Sequence, residues 1–250
     1  MYHAFVVNAL WIFPSFLLAT VAAAGAGWRT SFESNDGIFL VDSGNVSHCP
    51  DCIYESADHV LFDRPGVTLL LDQAPCNATP SSCCSGKQCA KYAAGHMRSA
   101  PSQAFGNFTF VARAPFPPSG AGGAPDNSFA CITSSYLGTP HHEVASCFHA
   151  GKPSEVSLSY WAAPANANGV ILQVDAGVDL HAAFHTYTIV WAPSLLTLLL
   201  DGTEIAKSTT AASTIPSRAG QVLLINRVMP ADPFKGDSAM TVLSAAYAPL

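Results

Sequence analysis

Charge is scarce in this sequence. Lys and Arg number 11 and Asp and Glu 17 among 250 residues, for a formal net charge of −6. No basic stripe is present, which argues against a nucleic-acid partner, since that binding depends on clustered Lys and Arg. Helical periodicity is also missing beyond the N-terminus, and there is no internal repeat and no long linker. After residue 24 no apolar run is long enough to span a bilayer, which takes about 20 residues. A length of 250 residues suits one large β-domain or two small ones.

The N-terminal stretch is different. Residues 4–24, AFVVNALWIFPSFLLATVAAA, are almost wholly apolar and end in small residues. Ala22-Ala23-Ala24 and Ala24-Gly25-Ala26 both offer an Ala-x-Ala cleavage pattern, so residues 1–26 read as a secretory signal peptide. An uncleaved anchor is the rival; Pro14 and the small-residue end favour cleavage. Secretion would suit the eight cysteines, Cys49, Cys52, Cys76, Cys83, Cys84, Cys89, Cys131 and Cys147, because an oxidising compartment lets them pair. It would also suit three Asn-x-Ser/Thr sequons, at Asn45, Asn77 and Asn107. Cys49-Pro-Asp-Cys52 has no second CxxC and no thioredoxin-like βαβ pattern beside it, so a structural disulfide is the expected role. Residues 74–91 are Cys-rich and polar, and read as a surface loop stapled by its own disulfides.

The remainder of the chain is β-rich. Short apolar or alternating blocks at 67–71, 105–112, 128–134, 143–148, 155–161, 185–191, 195–200, 221–225 and 240–247 are separated by Gly, Pro, Ser and Asn. Many short strands at such spacing predict a sandwich or barrel. Asp201-Gly202, between LTLLL and TEIAKS, predicts a tight hairpin, because both residues accept positive φ. A single domain over 28–250 is the simplest organisation.

Four segments carry a family resemblance. These are AAGHMRSAPSQAFGNFTFVARAP (93–115), HHEVASCFHAGKPSEVSLSYW (141–161), FHTYTIVWAPSLLTLLLDGTEI (184–205) and IPSRAGQVLLIN (215–226), with a closing strand at 240–247. In order and spacing they resemble glycoside hydrolase family 16, the laminarinases, lichenases and transglucosylases. The resemblance implies an all-β jelly-roll sandwich of two curved antiparallel sheets, with a glucan cleft on the concave one.

It also implies a retaining mechanism, in which a nucleophile and an acid/base carboxylate flank the scissile bond about 5 Å apart. On a strand alternate residues share a face, so His141, Glu143, Ala145, Cys147 and His149 are expected to face the cleft. By resemblance Glu143 stands at the nucleophile position, Ala145 at that of the helper Asp and Cys147 at that of the acid/base Glu. A thiol near pKa 8.5 is a poor proton donor here, and general acid help is worth about 10²–10⁴-fold. Thr109, Val111 and Val228 replace further cleft residues. Trp161, His141, Ser159, Asn226 and Arg98 remain as carbohydrate-binding candidates. Trp161 would be a sugar platform or a core-edge aromatic, and Arg98 and Asn226 read as structural ahead of substrate-binding.

His141 and His149 lie about 26 Å apart on an extended strand, too far to share an ion, so no metal and no cofactor is expected. A hairpin centred near residue 139 would set Cys131 opposite Cys147, which predicts a disulfide between them. The expected protein is a secreted monomer, off the membrane once its signal is removed. It would bind β-glucan with lost or much reduced hydrolysis, or cleave it through an altered acid/base. A domain without a sugar ligand is the third possibility.

Overall fold

The structure, a computed structural model, describes residues 26–34, 36–43, 46–47, 53–63, 65–73, 92–116, 128–137, 141–162, 166–208, 215–228 and 238–250. Residues 1–25, Asn45, Asn77, the 74–91 loop and every cysteine except Cys131 and Cys147 lie outside these ranges.

Eighteen strands are described. The first seven are short: β1 (Trp28–Thr30), β2 (Phe39–Val41), β3 (Val46–Ser47), β4 (Ile53–Glu55), β5 (Val60–Leu61), β6 (Val67–Gln73) and β7 (Tyr92–Ala94). Six central strands come next: β8 (His96–Gln103), β9 (Gly106–Phe116), β10 (Ser128–Leu137), β11 (His142–His149), β12 (Glu155–Ala162) and β13 (Asn166–Asp175). The last five are β14 (His185–Ala192), β15 (Leu195–Leu200), β16 (Thr203–Ser208), β17 (Gly220–Val228) and β18 (Ser238–Pro249). Among the described residues the one helical element is a 3-10 turn at Ala57–His59.

The strands make two sheets. One has seven strands in the order β13-β12-β11-β10-β17-β8-β2. The other has eleven, in the order β16-β15-β14-β9-β18-β6-β7-β4-β3, with β1 on β18 and β5 on β6. The architecture is the expected jelly-roll sandwich. Among the described residues one parallel pair, β4 with β7, departs from the all-antiparallel expectation.

The core arises from period-2 alternation. Val67, Leu69 and Leu71 of β6, Phe108 and Phe110 of β9 and Tyr187, Ile189 and Trp191 of β14 are buried from one sheet. Val144 and Phe148 of β11, Leu158 and Tyr160 of β12 and Leu224 of β17 are buried from the other. Buried polar tips find partners: Trp191 Nε1 donates to the Pro216 carbonyl at 2.9 Å, and Tyr160 Oη lies 2.8 Å from Ser208 Oγ. Asn107 pairs with Val190 on one side and Ala248 on the other, and its amide oxygen is buried.

The β15–β16 hairpin turns through Asp201 (φ 49°) and Gly202 (φ 83°), the two positive φ angles of a type I′ turn. Asp201 accepts hydrogen bonds from His185 Nδ1 at 2.7 Å and from the Thr186 N–H at 2.8 Å. These two bonds, that of His185 first, hold its carboxyl below the ordinary carboxylate range. A carboxyl lowered on folding stabilises the fold above its unfolded-state pKa, and that contribution fades as pH falls through the folded value. The Asp201 side chain is 54% exposed, so solvent screening keeps the effect under about 1 kcal/mol. Asp201→Asn is therefore expected to lower Tm by less than about 4 °C at pH 7, with the gap closing below about pH 4. Thermal melts at pH 7 and 3 check this; a gap unchanged at pH 3 would assign the effect to the turn backbone.

Candidate active site

β11 sits between β10 and β12, and its outward residues face away from the sandwich core. Glu143 lies opposite Tyr136 and Trp161, Ala145 opposite Thr133 and Ser159, and Cys147 opposite Cys131 and Ser157. Alternation explains the split: Val144 and Phe148 belong to the core cluster, so 143, 145 and 147 take the other face. Cys131 and Cys147 are joined by a disulfide, as the numbering symmetry of the hairpin predicts.

Glu143 is not isolated. His141 Nε2 lies 2.9 Å from its Oε2. The His141 ring stacks on Trp161 with centroids 5.5 Å apart and planes 8° apart, and Tyr136 meets it edge-on at 5.9 Å. Another side of Trp161 is met by Gly169, whose φ of +70° and lack of a side chain are both required, because a Cβ there would overlap the indole. The platform face of Trp161 thus carries an imidazole, and any ring stacking on that face has to displace His141.

The other candidates are distributed around this group. Ser159 is 2% exposed, and its Oγ donates to the Ala145 carbonyl at 3.4 Å. Arg98 Nε donates to Asp42 Oδ1 at 2.7 Å. Asn226 is 1% exposed and ties the sheets together: its Nδ2 donates to the carbonyls of Leu69 and Ser238 at 3.1 and 3.2 Å. Its Oδ1 is buried and accepts no hydrogen bond, a state that costs about 1–3 kcal/mol. His149 lies six residues from Glu143, about 20 Å along an extended strand. Burial first, then Lys152, pushes its imidazole below the ordinary value, so it is neutral at pH 7. Distance and protonation both remove it as a proton donor for a bond at Glu143.

A cavity of about 400 Å³ runs across the strands from Glu143, Tyr136 and Thr133 to Gly95, His96 and Glu55, over Leu223 and Ile225. Glu55 and His96 are site residues that the sequence does not announce. His96 Nδ1 lies 2.8 Å from Glu55 Oε1 and 3.5 Å from Asp42 Oδ2. The three residues are far apart in the chain and come from both sheets, so no local spacing marks them. His96 stands three strands from Glu143, about 14 Å at the usual strand spacing. Paired glycosidase carboxyls lie about 5–9.5 Å apart, so this cluster is not the second group for a bond held at Glu143.

The sequence profile described as "Glycosyl hydrolases family 16" matches residues 51–243. The chain belongs to this family. Among solved structures, a family 16-like sandwich appears in a prokaryotic β-1,3-1,4-glucanase (lichenase) from a mouse hindgut metagenome, with TM-score 0.73 and 17% identity over 90% of this chain and 100% of that one. The laminarinase catalytic domain of Thermotoga maritima gives 0.66 and 12% over 89% and 97%. The Crh5 transglycosylase gives 0.62 and 16% over 90% and 85%. At these identities the likeness is one of fold. No curated protein matches the chain significantly.

Proposed function

We propose that this family 16 protein is secreted as a monomer, binds β-glucan or a related polysaccharide on its concave sheet, and has lost most or all hydrolase activity. Secretion is supported by the signal-like residues 1–26. The polysaccharide class is supported by family membership and by the aromatic wall of Tyr136, His141 and Trp161 beside Glu143. The loss of hydrolysis is supported above all by the Cys131–Cys147 disulfide. By resemblance Cys147 stands at the family's acid/base position, and a disulfide sulfur has no proton to give to a leaving oxygen. Ala145 adds to this, offering no carboxyl to orient Glu143.

One observation favours an active alternative: His141 Nε2 lies against Glu143 Oε2. That contact puts a titratable proton carrier within reach of the same bond. The test is product release from β-1,3-, β-1,4- and mixed-linked glucans by the secreted protein, beside Glu143→Ala and His141→Ala. The expected result is binding without release, and binding weakened by Trp161→Ala. Release that disappears with either Glu143→Ala or His141→Ala would overturn the proposal in favour of the active alternative.

A further inference from the structure

We propose that Asp42, Glu55 and His96 form a divalent-cation site at the end of the cavity remote from Glu143. One ligand atom from each residue lies within 4.8 Å of the others. The side chains are 11%, 6% and 15% exposed, so this is not a loose surface group of acids. An imidazole nitrogen with two carboxylates is a donor set for zinc or manganese. Bonds of about 2.1 Å to such an ion separate its ligand atoms by roughly 3–3.5 Å. The His96–Glu55 and His96–Asp42 separations of 2.8 and 3.5 Å bracket that spacing.

Charge points the same way. Arg98 bonds Oδ1 of Asp42 and leaves Oδ2 turned to the cluster. Two nearly buried carboxylates thus converge on the His96 imidazole, an acidic surround that favours a bound cation.

The second, independent observation is Asn226. It lines the same cavity as His96 and Glu55. Its amide orientation is fixed, because Nδ2 faces two carbonyl acceptors. The atom left over is therefore an oxygen, on a residue only 1% exposed, with no hydrogen-bond donor. A neutral oxygen acceptor in the cavity that His96 and Glu55 line suits an ion's outer shell, reached through a water. The ion would link β4 of one sheet to β2 and β8 of the other. It is independent of whether the cleft hydrolyses glucan.

The competing account is a self-contained His–carboxylate network with no need of an ion. The test uses the full secreted protein, stripped with chelator and titrated with Zn²⁺ or Mn²⁺ alone by calorimetry and thermal melts. One equivalent of at least one ion is expected to bind with Kd below about 10 μM, and to raise Tm by roughly 5 °C at 1 mM ion. Both signals should vanish in His96→Ala and in the near-isosteric Glu55→Gln, and persist in Glu143→Gln. Circular dichroism of Glu55→Gln guards against reading misfolding as lost binding. No binding by the folded wild type, or binding unchanged in folded Glu55→Gln, overturns the site.

Discussion

A protein carrying Cys131→Ala with Cys147→Glu is expected to release sugar from β-glucan at least about 100-fold faster than its Cys131→Ala, Cys147→Gln counterpart. The Glu143 cavity, the Tyr136–His141–Trp161 wall and the β11 register are all present in this chain. On the proposed reading, the missing component is a proton for the leaving oxygen. General acid catalysis supplies about 10²–10⁴-fold, and the lower figure is appropriate while Ala145 still leaves Glu143 without an orienting carboxyl. The Gln counterpart isolates the effect, because both variants lose the same disulfide and place side chains of equal size at 147. Measuring reducing ends over days on folded protein decides the matter. Equal, negligible rates in the two variants would remove position 147 as the seat of the missing acid and direct attention to the rest of the cleft.

Trp191→Ala is expected to lose about 3–5 kcal/mol of stability, the largest single loss in the core. Trp191 is fully buried, meets Phe105 and Phe108 with ring centroids 5.3 and 6.1 Å away, and donates its indole N–H to Pro216. Its removal leaves a cavity between the sheets and strips a buried carbonyl of its donor, which places the cost in the upper part of that range. For a domain of this size the corresponding fall in Tm is roughly 8–16 °C. Trp161→Ala, at a half-buried site, should fall by much less while weakening glucan binding. The pair of variants thus separates core from cleft by calorimetry and affinity electrophoresis. A Trp191→Ala loss under about 1.5 kcal/mol would contradict a core centred on this indole.

Where alternation is strong, the chain declares its structure. The block from His185 to Leu200 reads as two strands and is two strands, with the turn at Asp201-Gly202. The Cys131–Cys147 pairing matches the numbering symmetry about residue 139, but it is reached through a register shift between Thr133 and Ser135 that the sequence does not announce. β8 is not legible: HMRSAPSQ has one strong apolar residue, and Pro101 interrupts it. The sheet absorbs that proline at an irregularity, where the register to β17 shifts between Gln221 and Leu223. β2 and β4, at three residues each, are too short to show any period. Asp42, just past β2, and Glu55, at the end of β4, meet His96 only because the two sheets close on each other. No spacing in a linear chain encodes that closure.

The bond between Cys131 and Cys147 also bears on how this chain can change over generations. The two cysteines directly face each other across neighbouring strands, and a cross-link closing about 16 residues is worth about 3 kcal/mol. Any single substitution at 147, including one to a carboxylate, forfeits that stabilisation and strands a thiol at Cys131, which is 3% exposed. Placing an acid here therefore needs two coordinated changes, with a less stable, thiol-bearing intermediate between them. The pair acts as a latch: once drawn closed, it makes change at either position by single steps costly.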